Sequence, residues 1–508
     1  MSQEQSQRPR SLCRGHRFYS GAQNIASALA VTALMAMLTS CGGGGAGSSS
    51  QQGTPSATGA LQITTSTSFF PAFDPKISDY VAAAPPGSSL QVTVNAPPDI
   101  TVSVDGNPSR TAASTTQVFV STGQSFSFVV NASGSSKTYY VRCLPADFPA
   151  WATERPGTPQ TEYYAFTPNI AQDNKSQNKH YFIIADSYGT PVWWYRSSDE
   201  PRNALFLPNG NIAWTVSNGG EEHKLNGELV RSFSVGKSNG EYFDTHELQQ
   251  LPNGDYLLVA NVPRGPVDLT AEGGFSTAFV TDNWIEEIAP NGSVVWRWST
   301  LDHISLAETD PGWWPQYLQG TRLADPFHMN SIGVSGNGYV ISFRHLDAVV
   351  QIDKASGNII WKLGGTHRAE SLTFSGDPDG GFGGQHDARI LSDGTLTLHD
   401  NGTLLGRAPR AVRYDINTTT KTATLLEQVN DPEVTDSVCC GSARKVPGGN
   451  WVMEWGFHPV VTEFTPSGGR AFRMTFKDPY FSYRAEPVPF GVLDRANLRS
   501  GMDAQFPR

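Results

Sequence analysis

The stretch Thr245-His246-Glu247-Leu248-Gln249-Gln250-Leu251-Pro252-Asn253-Gly254-Asp255-Tyr256-Leu257-Leu258-Val259-Ala260 decides the fold. Two strand-like runs flank a Leu-Pro-Asn-Gly turn, and an Asn-Gly pair readily adopts the positive φ that a tight β-hairpin needs. The same kind of turn returns at Leu207-Pro208-Asn209-Gly210, Ser335-Gly336-Asn337-Gly338, Leu391-Ser392-Asp393-Gly394 and Val446-Pro447-Gly448-Gly449. Between these turns lies a second hairpin half that runs into an aromatic or apolar strand. It is seen at Gly189-Thr190-Pro191-Val192-Trp193, Gly227-Glu228-Leu229-Val230, Gly292-Ser293-Val294-Val295-Trp296, Gly357-Asn358-Ile359-Ile360-Trp361 and Gly469-Arg470-Ala471-Phe472. A repeat of this length fixes architecture before any local element does. It predicts an all-β chain whose residues 150–508 form a six-bladed β-propeller of four-stranded blades, each protecting its edges by radial packing.

Working outward, residues 61–146 carry shorter alternating runs, among them Leu90-Gln91-Val92-Thr93-Val94 and Ser125-Phe126-Ser127-Phe128-Val129. Period-two patterning predicts a small β-sandwich, and Ser78-Asp79-Tyr80 with Val104-Asp105-Gly106 resembles bacterial cadherin-like modules. Residues 41–60 are a Gly/Ser-rich linker with too little apolar surface to order itself. Residues 1–40 read as a signal peptide: Arg8, Arg10, Arg14 and Arg17 precede an apolar run from Ile25 to Leu38, too short to span a bilayer comfortably. The run ends in Leu38-Thr39-Ser40-Cys41-Gly42, which resembles a lipobox and implies lipidation of Cys41. The expected location is the periplasmic side of a cell envelope, lipid-anchored in the outer membrane. Cys143, Cys439 and Cys440 are few enough to suit an oxidising compartment, and allow one bridge or none. A net charge of -10 over 508 residues argues against a nucleic-acid surface, which needs a basic face.

Each first-half turn glycine also serves as a ruler. His246 lies eight residues before Gly254 and His386 eight before Gly394, while His328 lies ten before Gly338. A two-residue difference keeps the same strand face, so three imidazoles converge where the innermost strands open on the central channel. Arg344 follows Gly338 by six residues, pairing back near Asn330, and Trp455 follows Gly449 by six, which places an aromatic at the rim. Three histidines suit zinc, but Arg344 opposes a cation and no carboxylate accompanies all three, so the reading is metal- and cofactor-free. Imidazoles with a guanidinium suit an ester whose transferring group spreads negative charge over its oxygens. A surface propeller that only binds a ligand, and a His-ligated metal enzyme, stay open as alternatives.

The segments Thr245-His246-Glu247-Leu248, Phe327-His328-Met329-Asn330-Ser331-Ile332, Ser342-Phe343-Arg344, Ile360-Trp361-Lys362-Leu363-Gly364-Gly365, Gly384-Gln385-His386-Asp387-Ala388-Arg389 and Asp400-Asn401-Gly402 resemble, in order and spacing, the bacterial arylsulfate sulfotransferases. The resemblance spans about Tyr181 to Pro466. It implies a six-bladed propeller that transfers a sulfuryl group from a phenolic sulfate ester to a phenol without a nucleotide sulfate. By it, His386 is the nucleophile that becomes sulfohistidine, and His246, His328 and Arg344 bind the sulfuryl oxygens and assist proton transfer; Asn330 and Trp455, placed by the glycine ruler, are the expected substrate contacts. The N-terminal module and Cys439-Cys440, which stand where another blade begins its inner strand, depart from that pattern.

Overall fold

The computed structural model describes residues 60–85, 87, 89–170, 180–318, 322–477 and 480–508. The expected leader 1–40, the lipidation site Cys41 and the linker up to 59 lie outside the described residues. No helix among the described residues is long and apolar enough to cross a membrane.

The chain is all-β. Near its start, a three-stranded sheet (Gln62–Thr65, Ser89–Asn95, Ala113–Phe119) and a five-stranded sheet (Phe69–Phe70, Asp79–Ala83, Ser135–Leu144, Ser125–Ala132, Ile100–Val104) share one apolar core. Alternation does this work: Leu90, Val92 and Val94 point inward from one sheet toward Phe126, Phe128 and Val141 of the other, while Gln91 and Asn95 stay exposed.

From Trp151 onward, among the described residues, six antiparallel four-strand meanders follow one another. Their first strands are Tyr480–Pro489, Arg202–Phe206, Tyr242–Gln250, Met329–Ser335, His386–Ile390 and Ser442–Lys445. Each first strand lies against those of the neighbouring meanders, and the ring closes on itself. Both ends of the chain effect the closure. Tyr480–Pro489 pairs with Thr161–Ile170 as the inner strand of the first meander, and Trp151–Glu154 adds to Arg470–Phe476 at the edge of the last. The middle strands are nearly continuous apolar runs, such as Tyr181–Asp186 and Ile212–Val216, because both of their faces are covered by neighbouring sheets. The C-terminal helix Arg495–Gln505, capped by the Asp494 side chain, buries Leu498 and Met502 against the first meander. Its Arg495 and Arg499 hold Asp79 of the five-stranded sheet at 2.6 and 2.7 Å, so the helix fastens the N-terminal sheets to the ring.

Candidate active site

Inner strands are irregular where the histidines stand. Pairing with the second strand slips between Asp244 and Leu248, between Met329 and Ser331, and between His386 and Arg389. A bulge re-aims side chains, and here it does so at one end of three successive inner strands. His328 and Asp387 hold left-handed backbone, φ 52° and 58°, a conformation that side chains other than glycine rarely adopt. The outcome is convergence. The His246 ring stands 4.7 Å from the His328 ring and 6.4 Å from that of His386, centre to centre.

The three imidazoles have different partners. His386 is buried, and its Nδ1 lies 2.6 Å from the Gly441 carbonyl oxygen. A carbonyl only accepts, so Nδ1 carries the proton and Nε2 keeps its lone pair. Nε2 is 3.1 Å from the Tyr483 hydroxyl, which also lies 3.2 Å from the His246 carbonyl oxygen. Burial first, then the charges of Arg484 and His246, push His386 well below the usual imidazole range, keeping it neutral. His246 and His328 instead give their Nδ1 protons to carboxylates. His246 pairs with Asp244, and His328 with Asp325 at 2.6 Å. Burial works to raise Asp244, but the charge and hydrogen bonds of His246 outweigh it and hold the carboxyl at about 2.

Arg344 follows the second strand of its meander, and its backbone N–H donates to the His328 carbonyl oxygen at 3.0 Å. Its guanidinium lies over the Trp313 ring at 4.2 Å, donates to the Val438 carbonyl oxygen, and stands 3.3 Å from His345 Nε2. His345 stacks on His328, ring centres 4.6 Å apart, and donates from Nδ1 to the Asp325 carbonyl oxygen at 2.6 Å. Burial, His328 and Arg344 together drive it well below the usual range, so His345 is a neutral acceptor that orients Arg344. Below the histidines lies a buried ionic layer. Arg389 meets Glu247 at 2.7 Å and Asp387 at 2.8 Å, Arg444 meets Asp387 at 2.7 Å, and Arg484 lies 3.4 Å from both acids. Arg484 also reaches Asn203 and, at 2.7 Å, the Asn330 carbonyl oxygen, which ties the inner strands together across the axis.

The structure therefore brings His246, His328, His386 and Arg344 together. Two expected substrate contacts are fully buried in the structure. Trp455 is fully buried, its ring edge-on to His399 at 5.9 Å and its Nε1 3.3 Å from Thr462 Oγ1. It packs behind His399 and leaves the rim without it, because an indole gains more from filling the wedge between sheets than from standing in a wet channel. Asn330 is also fully buried and donates to the Gln385 carbonyl oxygen at 2.7 Å, bracing the residue before His386 from behind. Sequence reasoning missed Tyr483, Arg484, His345, Asp244 and Asp325.

Ligand atoms of Asp325, His328 and His345 lie within 4.8 Å of one another. They do not fit a divalent cation. Asp325 Oδ2 and His328 Nδ1 are spent on each other at 2.6 Å, and the Arg344 guanidinium stands 3.3 Å from His345 Nε2. Buried neutral imidazoles also set the acid response of the fold. His386 and His345 lie well below 6.5 and burial pushes His399 down to about 4. The unfolded chain binds these protons first as pH falls, so the imidazoles' contribution to stability is full above pH 6.5 and drops below it, while Asp347, raised by burial to about 6, and Glu454, raised well above the usual range, work in the opposite direction. The slope is about 1.4 kcal/mol per imidazole per pH unit. Thermal melts of the wild type and of His399→Gln between pH 7.5 and 5 read this, the variant losing less stability as pH falls, and an identical pH dependence in the two contradicts it.

The sequence model of a family described as "Arylsulfotransferase (ASST)" matches residues 209–477. No curated protein matches the chain. Among solved structures, a protein of unknown function from Bacteroides caccae is 13% identical, covering 65% of this chain and 99% of its own, with a TM-score of 0.40. Hydrazine synthase of Kuenenia stuttgartiensis is 11% identical, covering 56% and 71% at a TM-score of 0.32. Apo AztD from Citrobacter koseri is 10% identical, covering 65% and 98% at 0.31.

Proposed function

Since the chain belongs to the arylsulfotransferase (ASST) family, we propose that it moves a sulfuryl group from a phenolic sulfate ester to a phenol through a sulfohistidine at His386. The observation that carries this reading is the hydrogen bond from His386 Nδ1 to the Gly441 carbonyl oxygen. It leaves a neutral Nε2 lone pair beside a phenolic hydroxyl, in a pocket shared with two carboxylate-backed imidazoles and a guanidinium. Nε2 attacks sulfur, and Arg344 with His328 takes up charge on the sulfuryl oxygens. Another imidazole handles the proton on the phenol. We read the six meanders as the blades of a six-bladed propeller, and the two N-terminal sheets as a cadherin-like sandwich.

The test is a half-reaction. Donor alone adds the mass of one sulfuryl group to the peptide bearing His386, phenol removes it, and steady-state lines are parallel. An unmodified His386 with intersecting lines overturns the covalent scheme in favour of direct transfer. One rival is a metal enzyme built on Asp325, His328 and His345, whose ligand atoms lie close together but are engaged with one another and with Arg344. Dialysis against a strong chelator is expected to leave turnover unchanged, and loss of activity that zinc restores supports the rival. We also place the protein on the periplasmic side of the outer membrane, held by lipid on Cys41. Cys41→Ala is expected to shift it from the membrane fraction to the soluble one, or to leave its leader uncleaved. Wild-type protein recovered soluble with an unlipidated N-terminus rules the anchor out.

A further inference from the structure

His246 and His328 both rest on carboxylates, but only one of those carboxylates is locked from behind. Asp244 Oδ1 accepts from the His246 backbone N–H at 2.8 Å and faces its Nδ1. Asp244 Oδ2 accepts from Asn261 Nδ2 at 2.7 Å, and Asn261 Oδ1 accepts from Asn283 Nδ2 at 2.6 Å. Asn283 Oδ1 in turn accepts the Met329 N–H at 3.1 Å, one residue past His328. This chain of amides crosses the first three strands of one meander and ends on the inner strand of the next. Asn261 and Asn283 are buried, and each side-chain contact runs donor to acceptor in one direction. Asp325, by contrast, is 30% exposed. Of the two carboxylate-backed rings, His246 is also the one within 6.4 Å of the His386 ring, and the Tyr483 hydroxyl beside His386 Nε2 reaches the His246 carbonyl oxygen as well.

We propose that Asp244, held by the Asn261–Asn283 amide chain, is the positioning residue that makes His246 the proton-transfer group for both phenols, leaving His328 and Arg344 to the sulfuryl oxygens. The inference rests on the sulfohistidine reading above. In the first half-reaction the His386 Nε2 lone pair forms the N–S bond while the S–O bond to the donor phenol breaks. That electron pair stays on the phenolate oxygen, which takes the proton from His246 Nε2. In the second half, the acceptor hydroxyl gives its proton to His246 Nε2 as its oxygen bonds to sulfur, and the N–S pair returns to His386. An ionised carboxylate against Nδ1 stabilises the imidazolium that the first step consumes and the second restores.

Leaving-group dependence separates this role from a merely structural one. Sulfo-His386 formation is timed by rapid quench and peptide mass spectrometry with two donors, phenyl sulfate and 4-nitrophenyl sulfate, whose leaving phenolate needs no proton. Asp244→Asn is expected to slow formation from phenyl sulfate about 100-fold, and from 4-nitrophenyl sulfate about threefold or less. Asn261→Ala keeps the carboxylate but removes its brace, and is expected to show the same selectivity at about tenfold for phenyl sulfate; it decides the matter if the first variant does not fold. Equal slowing of both donors overturns the proposal while leaving the sulfohistidine intact. No adduct in wild-type protein from either donor overturns the reaction itself, and the proposal with it.

Discussion

His386→Ala is expected to lose turnover by about 10,000-fold or more and to remain unlabelled by any donor. Under the proposed scheme alanine removes the atom that bonds sulfur, and no neighbour replaces it. Nε2 of His386 is backed by a fixed carbonyl on its far nitrogen, whereas His246 and His328 meet carboxylates there, a setting suited to moving a proton. The fold should survive. The change orphans the Gly441 carbonyl, a cost of about 1 to 3 kcal/mol, so circular dichroism and a modestly lowered melting temperature identify a folded, inert protein. Transfer surviving within tenfold of wild type in that folded variant means the sulfuryl group never visits His386.

Arg344→Ala is expected to weaken transfer about 30- to 1,000-fold, the rate equivalent of about 2 to 4 kcal/mol of transition-state stabilisation. The guanidinium is stacked on Trp313 at 4.2 Å and steered by His345 at 3.3 Å, so it is placed before substrate arrives and loses nothing to reorganisation. Because charge on the sulfuryl oxygens is handled differently as the S–O bond breaks, kcat should carry the loss more than KM. Arg344→Lys should recover little, since an ammonium has neither the plane that stacks on the indole nor the fork that spans two oxygens. A lysine variant with near-normal kcat shows that net charge alone suffices.

Much of this arrangement was legible in the sequence because a turn glycine is a physical ruler. Gly254, Gly338 and Gly394 each take the left-handed or extended backbone their hairpins need, so counting back from them locates strand ends, and His246, His328 and His386 do converge. The ruler fails where backbone geometry departs from a regular strand. Asp244 and Asp325 come under their imidazoles through bulges and a positive φ at His328, which no spacing reports. Tyr483 and Arg484 lie on a strand borrowed from the far end of the chain, outside the repeat that gave the register. For Trp455 the count reached the right level of the strand but could not tell an open channel from the packed wedge behind His399. The part played by Cys439-Cys440 was hidden for another reason. The neighbouring main chain does the bonding there: the Val438, Cys440 and Gly441 carbonyls receive Arg344, His399 and His386, and backbone acceptors leave no signature in residue type.

The closing strand has a consequence for the order in which the molecule becomes competent. Tyr480–Pro489 arrives within the last thirty residues, yet it delivers Tyr483 beside His386 and Arg484 across the axis. A chain halted short of it can complete most of its meanders and still lack both the hydroxyl that faces His386 and one of the three cations, with Arg389 and Arg444, that neutralise Glu247 and Asp387. A truncated copy therefore holds its three histidines without the closing strand that stands against them.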